Sequence, residues 1–494
     1  MTGRHRAGRP EESAVESAVV ERSETAALAD TTAPVSVGIV ADDLTGANDS
    51  AVQFSRRGWS ARLVLTDPAG VTTADGSVTA VVTDARAHSA PQAERETRDA
   101  VDALAASGID RVFLKIDSTM RGTVSAQIEG ALDAWTLVHP DAIAVVCPAY
   151  PAMGRTVDGG RLLVDGAGVE TTSVGRDPVT PVTTSVLADL IPSSTSVSAA
   201  GRGAAELADL IAGVAEDGDR VIVVDAVTDT EVNTIGDAIL ALGARVVPVG
   251  SAGLAVVMAS VWGSGASTSA VTPPPPSTGA GGVVVVQVSS LHDVSRAQHA
   301  HLAASSTAVH TFAPTLDDVS STDAATRWIR AELDALNSGV PGTGVPGAGV
   351  PGAGVPGTAS GLTAVAVLAP AERGTDPDAS ERVAAGLATI TDAVIAHTAA
   401  NALVLMGGEG ARAVLARLDA DAVRVTDAIR EGIPIGVVEG GRSHGLTVVT
   451  KAGGFGTETS LTEIVPELAA MPLTAVPLDI ADHTASLLDA RRTP

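Results

Sequence analysis

The stretch Val37-Gly-Ile-Val-Ala-Asp42-Asp43-Leu-Thr45-Gly46-Ala-Asn-Asp49 decides how the rest of the chain is read. β-Branched residues from Val35 to Val40 predict a buried strand and Asp42 to Gly46 a turn. Ala47, Ala51 and Phe54 then form the inner face of a helix that stops at Gly58. Two adjacent carboxylates therefore stand at the carboxyl end of a strand, where open α/β sheets carry their ligand crevice. A helix cap needs only one of them. The second repels the first unless a cation, a proton or a ligand hydroxyl compensates it, so Asp42, Asp43 and the neighbouring Thr45 are candidate site residues.

Outward from this stretch, short apolar runs alternate with helical segments as far as about Ser260. The runs are Arg62 to Leu65, Thr79 to Thr83, Arg111 to Ile116, Ala142 to Val146, Arg220 to Asp225 and Arg245 to Val249. Continuous Val/Ile runs separated by helices predict parallel strands covered on both faces. A second series follows at Val283 to Val288, Thr363 to Leu368, Ala402 to Met406, Ile433 to Val438 and Leu446 to Thr450. The expected fold class is α/β, with two doubly wound domains of mainly parallel sheet joined by a Pro/Gly/Ser-rich linker. The expected boundaries are a disordered N-terminal extension over 1–34, a first domain over 35–262, a linker over 263–282, a second domain over 283–475 and a tail over 476–494. A Gly-Val-Pro repeat at 339–358 cannot continue a helix or a central strand and is read as a flexible surface insertion. It contains Gly342-Thr-Gly344-Val-Pro-Gly347, a chance match to the dinucleotide fingerprint with no strand immediately before it and no helix after it.

Composition narrows the partners. The chain has 494 residues and a net charge of −26, which argues against nucleic acid and anionic membranes, since both are held by clustered Lys and Arg. The single cysteine, Cys147, lies in an apolar run and reads as a buried small residue, so no intrachain disulfide can form. The first 34 residues lack the apolar core of a signal peptide, and no run approaches membrane-span length, which gives a cytoplasmic expectation. A homodimer is compatible with the sequence. The spacings of the familiar P-loop and zinc sites are absent.

Of the 32 basic residues only Lys115 and Lys451 are lysines. Each falls in a distinctive segment. Phe113-Leu-Lys115-Ile-Asp117-Ser118-Thr119-Met-Arg121-Gly122 reads as a strand leaving through a polar turn into a helix with Val124, Ile128, Ala131 and Trp135 on one face. Lys115, Arg121, the hydroxyls of Ser118 and Thr119 and the helix N-terminus concentrate an anion site there. Arg86, in Thr83-Asp84-Ala-Arg86, holds the corresponding place after another strand and suits bidentate grip of a carboxylate. Lys451-Ala-Gly453-Gly454-Phe455-Gly456 and Gly407-Gly408-Glu409-Gly410 are glycine-rich strand exits whose backbone N–H groups can approach a polyanion, which suggests a phosphate cradle.

Six segments together resemble the four-carbon acid sugar kinases: Ala41 to Ala47, Lys115 to Gly122, Cys147 to Pro151 with Gly154-Arg155, Asp177 to Pro181, Val249 to Leu254, and Lys451 to Gly456. The resemblance runs in order from about Val35 to Leu461. It implies ATP-dependent phosphorylation of a hydroxyl on threonate, erythronate or an oxo-tetronate, with the acid sugar on the N-terminal domain and ATP on the C-terminal one. On that reading Asp42 or Asp43 is the base, with Asp117 in reserve, and Lys115, Arg121, Arg86 and Arg155 hold the sugar carboxylate. Ser290, Gly407, Gly408, Glu409, Gly410, Gly453 and Gly454 would surround the nucleotide phosphates, with Lys451 adding charge and Mg²⁺ bridging the phosphates. The interdomain cleft would close over both substrates.

Two departures from the family pattern lie on the ATP side. Its Gly-Ser-x-Ser-x-x-Thr run appears as Ser289-Ser290-Leu-His292-Asp-Val-Ser295, and its Gly-Gly-Asp-Thr turn as Gly407-Gly408-Glu409-Gly410. They motivate one rival reading, an acid-sugar-binding regulatory protein that has lost phosphoryl transfer. A second rival, a nicotinamide-dependent dehydrogenase, lacks a dinucleotide fingerprint.

Overall fold

The computed structural model describes residues 35–66, 73–177, 179–263, 282–305, 308–338, 362–372 and 378–471. The expected N-terminal extension, nearly all of the linker, the Gly-Val-Pro insertion and the C-terminal tail lie outside the described residues.

The first half contributes strands β1 (Val37–Ala41), β2 (Ser60–Val64), β3 (Ser77–Val82), β4 (Arg111–Lys115), β5 (Ile143–Cys147), β6 (Arg155–Asp158), β7 (Arg161–Val164), β8 (Ala167–Gly168), β9 (Ser194–Ser198), β10 (Val221–Asp225) and β11 (Val246–Gly250). The second contributes β12 (Val284–Val288), β13 (Val309–Phe312), β14 (Ala364–Leu368), β15 (Ala402–Met406), β16 (Ala422–Arg430), β17 (Ile433–Glu439) and β18 (Thr447–Lys451). Five helices position the site: α1 (Leu44–Ser55), α2 (Val124–Trp135), α3 (Asp293–Ala304), α4 (Ala379–Thr398) and α5 (Gly408–Arg417). All five positions of β1, β5, β12, β15 and β18 are buried, which is the burial of strands covered on both faces.

The two halves are α/β and mainly parallel, as the runs predict, but more than a linker joins them. One 15-stranded sheet runs β13-β14-β12-β15-β18-β17-β16-β2-β3-β1-β4-β11-β5-β10-β9, and β6–β8 form a separate small sheet. The hairpin β16–β17 turns the second half antiparallel and pairs with the edge of the first, Ala422 opposite Val64 through Val425 opposite Ala61. Ser55 also donates to the Thr426 carbonyl at 2.7 Å and Asn48 to the Thr450 hydroxyl at 2.9 Å, so α1 lies along the seam. Separating the halves as rigid bodies would break this pairing.

Strand order places the site. In the first half β1 lies between β3 and β4, with Ala41 level with Val82 and Lys115. The chain therefore leaves these three strands side by side, at a point where the order reverses, and delivers Asp42-Asp43, Arg86 and Asp117 to one place. In the second half β15 lies between β12 and β18, with Met406 level with Val288 and Lys451. That ordering gathers Ser289-Ser290, Gly407–Gly410 and Gly453-Gly454.

Candidate active site

The two groups of strand exits face each other across a cleft of about 760 Å³. Every site residue expected from the sequence lines it except Asp42 and Lys451.

On the first wall, Asp43 is the N-cap of α1, its Oδ1 accepting from the Gly46 N–H at 2.8 Å and its carboxylate from the Thr45 hydroxyl. Arg86 binds Asp42 with two parallel hydrogen bonds, Nε to Oδ2 at 2.9 Å and Nη2 to Oδ1 at 2.8 Å. The same guanidinium reaches Asp43 Oδ2 from Nη1 at 3.1 Å and Asp43 Oδ1 from Nη2 at 3.0 Å. Asp43 thus caps the helix, and Arg86 supplies the cation that the adjacent carboxylates demand. Burial pushes the Asp42 carboxyl up, and Arg86 only partly offsets it. Burial also works to raise Asp43, but Arg86, Lys115, the Thr45 hydroxyl and the Gly46 N–H together hold it below the ordinary value. Asp42 lies beneath Arg86 and does not line the cleft.

Asp117 has an equally complete set of partners. Arg121 binds it with Nε and Nη2, both at 2.9 Å, and the Thr119 N–H, the Thr119 hydroxyl and the Arg121 N–H donate to Oδ2. Against the cost of burial, Arg121 and Arg86 hold this carboxyl well below the usual range. Arg121 also faces Asp177 at 3.4 Å. Lys115, 5% exposed, donates to the Ile116 carbonyl at 2.8 Å, and a Cβ on Gly46 would stand 2.8 Å from its Nζ, so glycine is required for the ammonium to pass. Arg155 donates to the Met153 carbonyl. Ser118 completes this part of the lining.

The second wall is built from backbone. Gly407 has φ +110°, in the left-handed region, and a Cβ there would lie 2.7 Å from Ser289 Oγ. It starts α5, whose first N–H groups open to the cleft beside Gly408. Around Gly408 there is room: the nearest group to a Cβ on it would be Asp43 Oδ2, at 3.9 Å. Gly453 is held by the Ser295 hydroxyl, which donates to its carbonyl at 2.7 Å, and its α-carbon faces Ser290 Oγ so closely that a Cβ would overlap it. Glu409 lines the cleft and accepts from the Ser380 hydroxyl at 2.7 Å.

Lys451 departs from the expectation that it offers charge to the cleft. It is 0% exposed and donates to the Ala452 carbonyl at 2.9 Å, because adjacent strand residues point to opposite faces and Thr450 takes the cleft side. Burial lowers its ammonium to about 8. At pH 7 the folded protein therefore carries the whole cost of a buried charge, and that cost fades as pH rises from about 8 toward 10.5. Lys451→Met is expected to melt several degrees higher than wild type at pH 7, with the gap shrinking by pH 10. Parallel melting curves across that range check it, and a pH-independent gap would contradict it.

Sequence reasoning passed over several lining residues, four of which bear on the chemistry. Ser289 and Tyr150 stand in quoted segments without a role, Arg176 adds an exposed cation, and Asp49 closes the opening stretch itself. Tyr150 bridges the seam, donating to Glu431 at 3.2 Å. Burial pushes the Asp49 carboxyl up to about 6. Its recurrence one and a half turns after Asp43 on a helix was the available signal. Cys147 is fully buried and its thiol is pushed up to about 12, in keeping with a packing role. No helix among the described residues is long and apolar enough to cross a membrane.

Comparison with known proteins agrees with this division. Residues 37–258 match a family model described as a sugar-binding N-terminal domain, and residues 285–461 one described as a nucleotide-binding C-terminal domain. The D-threonate kinase of Bordetella bronchiseptica is 40% identical over 434 residues, covering 86% of this chain and 95% of that protein. The D-erythronate kinase of Heliobacterium modesticaldum is 29% identical over 428 residues, covering 84% and 93%. Haemophilus influenzae protein HI1011, 21% identical, shares the fold with a TM-score of 0.60 over 87% of this chain and 98% of its own. Matched in both halves and aligned along most of its length, the chain belongs to the four-carbon acid sugar kinase family.

Proposed function

We propose that the protein transfers the γ-phosphoryl group of ATP to a hydroxyl of a four-carbon acid sugar of the threonate, erythronate or oxo-tetronate class. The observation that carries this reading is the meeting of the two walls: Asp43 Oδ2 lies 3.9 Å from where a Gly408 side chain would begin, at the open N-terminus of α5. A phosphate seated on those N–H groups and a hydroxyl held near Lys115, Ser118 and Arg121 would be adjacent. Phosphoryl transfer asks the protein chiefly for such positioning and charge neutralisation.

The two departures from the family pattern fit each other. A Cβ on Gly410 would overlap Ser289, so the turn is small where its neighbour is larger, and a hydroxyl stays between the two exits. Ser289 Oγ donates to the Met406 carbonyl at 2.8 Å and stiffens that junction. This supports an operating cradle over the regulatory-protein reading.

Mg²⁺, when bound, neutralises the β- and γ-phosphate oxygens. The described residues contain no cluster of three or more His, Cys, Asp or Glu placed to hold a metal. A magnesium ion that keeps its waters and takes most ligands from phosphate needs only one or two carboxylates. Glu409, beside the cradle and with one oxygen engaged by Ser380, is the residue that would hold it.

The test is an ADP-release assay with Mg-ATP against D- and L-threonate, D- and L-erythronate and their 2- and 3-oxo forms. Turnover on at least one acid is expected. Binding of an acid in a thermal-shift screen with no ADP release on any would replace the kinase reading with the regulatory one.

A further inference from the structure

Four aspartates line the cleft, Asp43, Asp49, Asp117 and Asp177, with Asp42 behind them, and hydrogen bonding separates them. Asp42 is buried under Arg86. Asp43 accepts three hydrogen bonds, from Thr45, Gly46 and Arg86 Nη1, and forms an ion pair with Arg86 Nη2 at 3.0 Å. Asp117 accepts five hydrogen bonds, two of them from the fork of Arg121. Asp42 is shut off from the cleft, Asp43 and Asp117 are each paired with an arginine, and Asp177 accepts from Arg121 and from the Val179 and Thr180 N–H groups, so at each of them a substrate hydroxyl competes with partners already in place. Among the described residues no hydrogen bond or ion pair reaches the carboxylate of Asp49, which lines the same cleft.

We infer that Asp49 is the general base of the phosphoryl transfer, accepting the proton of the acid-sugar hydroxyl, while Asp42, Asp43 and Asp117 form a fixed charged frame. This rests on the kinase reading above. As the hydroxyl oxygen bonds to the γ-phosphorus, its proton passes to an Asp49 oxygen. The bond from that phosphorus to the β,γ-bridging oxygen breaks, with the electron pair leaving on ADP. The neutral Asp49 then returns its proton to solvent.

Asp49 faces the same cleft from further along α1. Asp49 lies about 9 Å along the α1 axis from the N-cap Asp43. The charged and titratable groups around it are Asp43 and Arg56 of its own helix, Lys115 at the end of β4, Glu431 in the β16–β17 turn, and Tyr150 after β5. Lys115 and Arg56 favour its ionised form, Asp43 and Glu431 oppose it, and burial outweighs them all, leaving a carboxyl that changes charge near pH 6. A base works best with its pKa near the operating pH, whereas a carboxylate held far below it is a weak acceptor.

The experiment compares wild type, Asp49→Asn and Asp49→Glu by ADP release from pH 5 to 9, with ATP and acid-sugar KM at each pH and melting curves alongside. Asp49→Asn is expected to lose roughly a hundredfold or more in kcat. Both KM values should stay within about threefold, and the acid limb of wild-type kcat/KM near pH 6 should vanish. Its melting temperature should equal or exceed that of wild type above pH 6, since the wild-type carboxyl binds its proton more tightly folded than unfolded and loses stability as pH rises from 3.8 to about 6. Asp49→Glu should be slower than wild type but keep an acid limb. Retention of kcat within about threefold in Asp49→Asn, or an unmoved limb in that variant, would overturn the assignment. Absence of ADP release by wild type itself on every acid would overturn the kinase reading, and the base role with it.

Discussion

Arg86→Met is expected to lower the unfolding free energy by about 3–5 kcal/mol, the usual result of stranding a buried charge, and to abolish turnover. Arg86 supplies every side-chain hydrogen bond that Asp42 receives among the described residues, and one hydrogen bond and an ion-pair contact to Asp43. The Asp42 side chain is 0% exposed and that of Arg86 only 18%, so solvent cannot replace the guanidinium. A surface ion pair in the same geometry would be worth about 1 kcal/mol or less. Lysine would restore the charge but not the fork that spans both oxygens of Asp42, so Arg86→Lys should recover only part of the loss. The sign with pH follows from Asp42, whose carboxyl burial already raises despite Arg86. Without the guanidinium it is pushed further up, and the defect should grow as pH rises and shrink toward pH 4, where a neutral carboxyl needs no partner. Urea unfolding followed by circular dichroism at pH 5 and pH 8 reads both effects. A loss below about 1 kcal/mol at pH 8 would show that the cluster behaves as a solvated surface pair.

Gly453→Val is expected to weaken ATP binding by roughly tenfold to a hundredfold or more, on the scale of one forced overlap, while leaving acid-sugar binding unchanged. Its Cβ would overlap Ser290 Oγ and stand 3.4 Å from His292 Cβ. The turn cannot back away freely, because the Ser295 hydroxyl on α3 holds the Gly453 carbonyl and Gln298 on the same helix holds the carbonyls of Phe455 and Thr457 at 3.0 and 2.7 Å. The notch between the exits of β12 and β18 would therefore fill with side chain. Calorimetric titration with ATP and a separate thermal shift with the preferred acid distinguish the two ligands. Equal loss of both would mean that the substitution disturbs the whole cleft, and undiminished ATP affinity would place the phosphates elsewhere.

Much of this was legible in the chain. Runs such as Val37–Ala41, Ile143–Cys147 and Ala402–Met406 are strands because every position is apolar, and the first two are rich in β-branched residues. Their polar and glycine-rich exits are loops for the same local reason. The strands that escaped notice, β6, β7, β8, β9, β13 and β16, lack that signature: β9 for example is Ser/Thr-rich and at the edge of the sheet, and β16 alternates Val-Arg-Val-Thr-Asp in a hairpin. By itself the sequence determined which segments carry chemistry, because periodicity, turn residues and the rarity of lysine are set by residues near one another in the chain. Tertiary structure alone decided which exits stand side by side, that Arg86 is spent on Asp42 and Asp43, that Lys451 faces away from the cleft, and that Asp49 accepts no hydrogen bond among the described residues. The β16–β2 pairing that fuses the two halves belongs with these. Each depends on groups brought together from distant positions, 44 residues apart for Arg86 and Asp42 and 402 for Asn48 and Thr450, and the lone pairs of a carboxylate are filled by whatever donors the fold delivers.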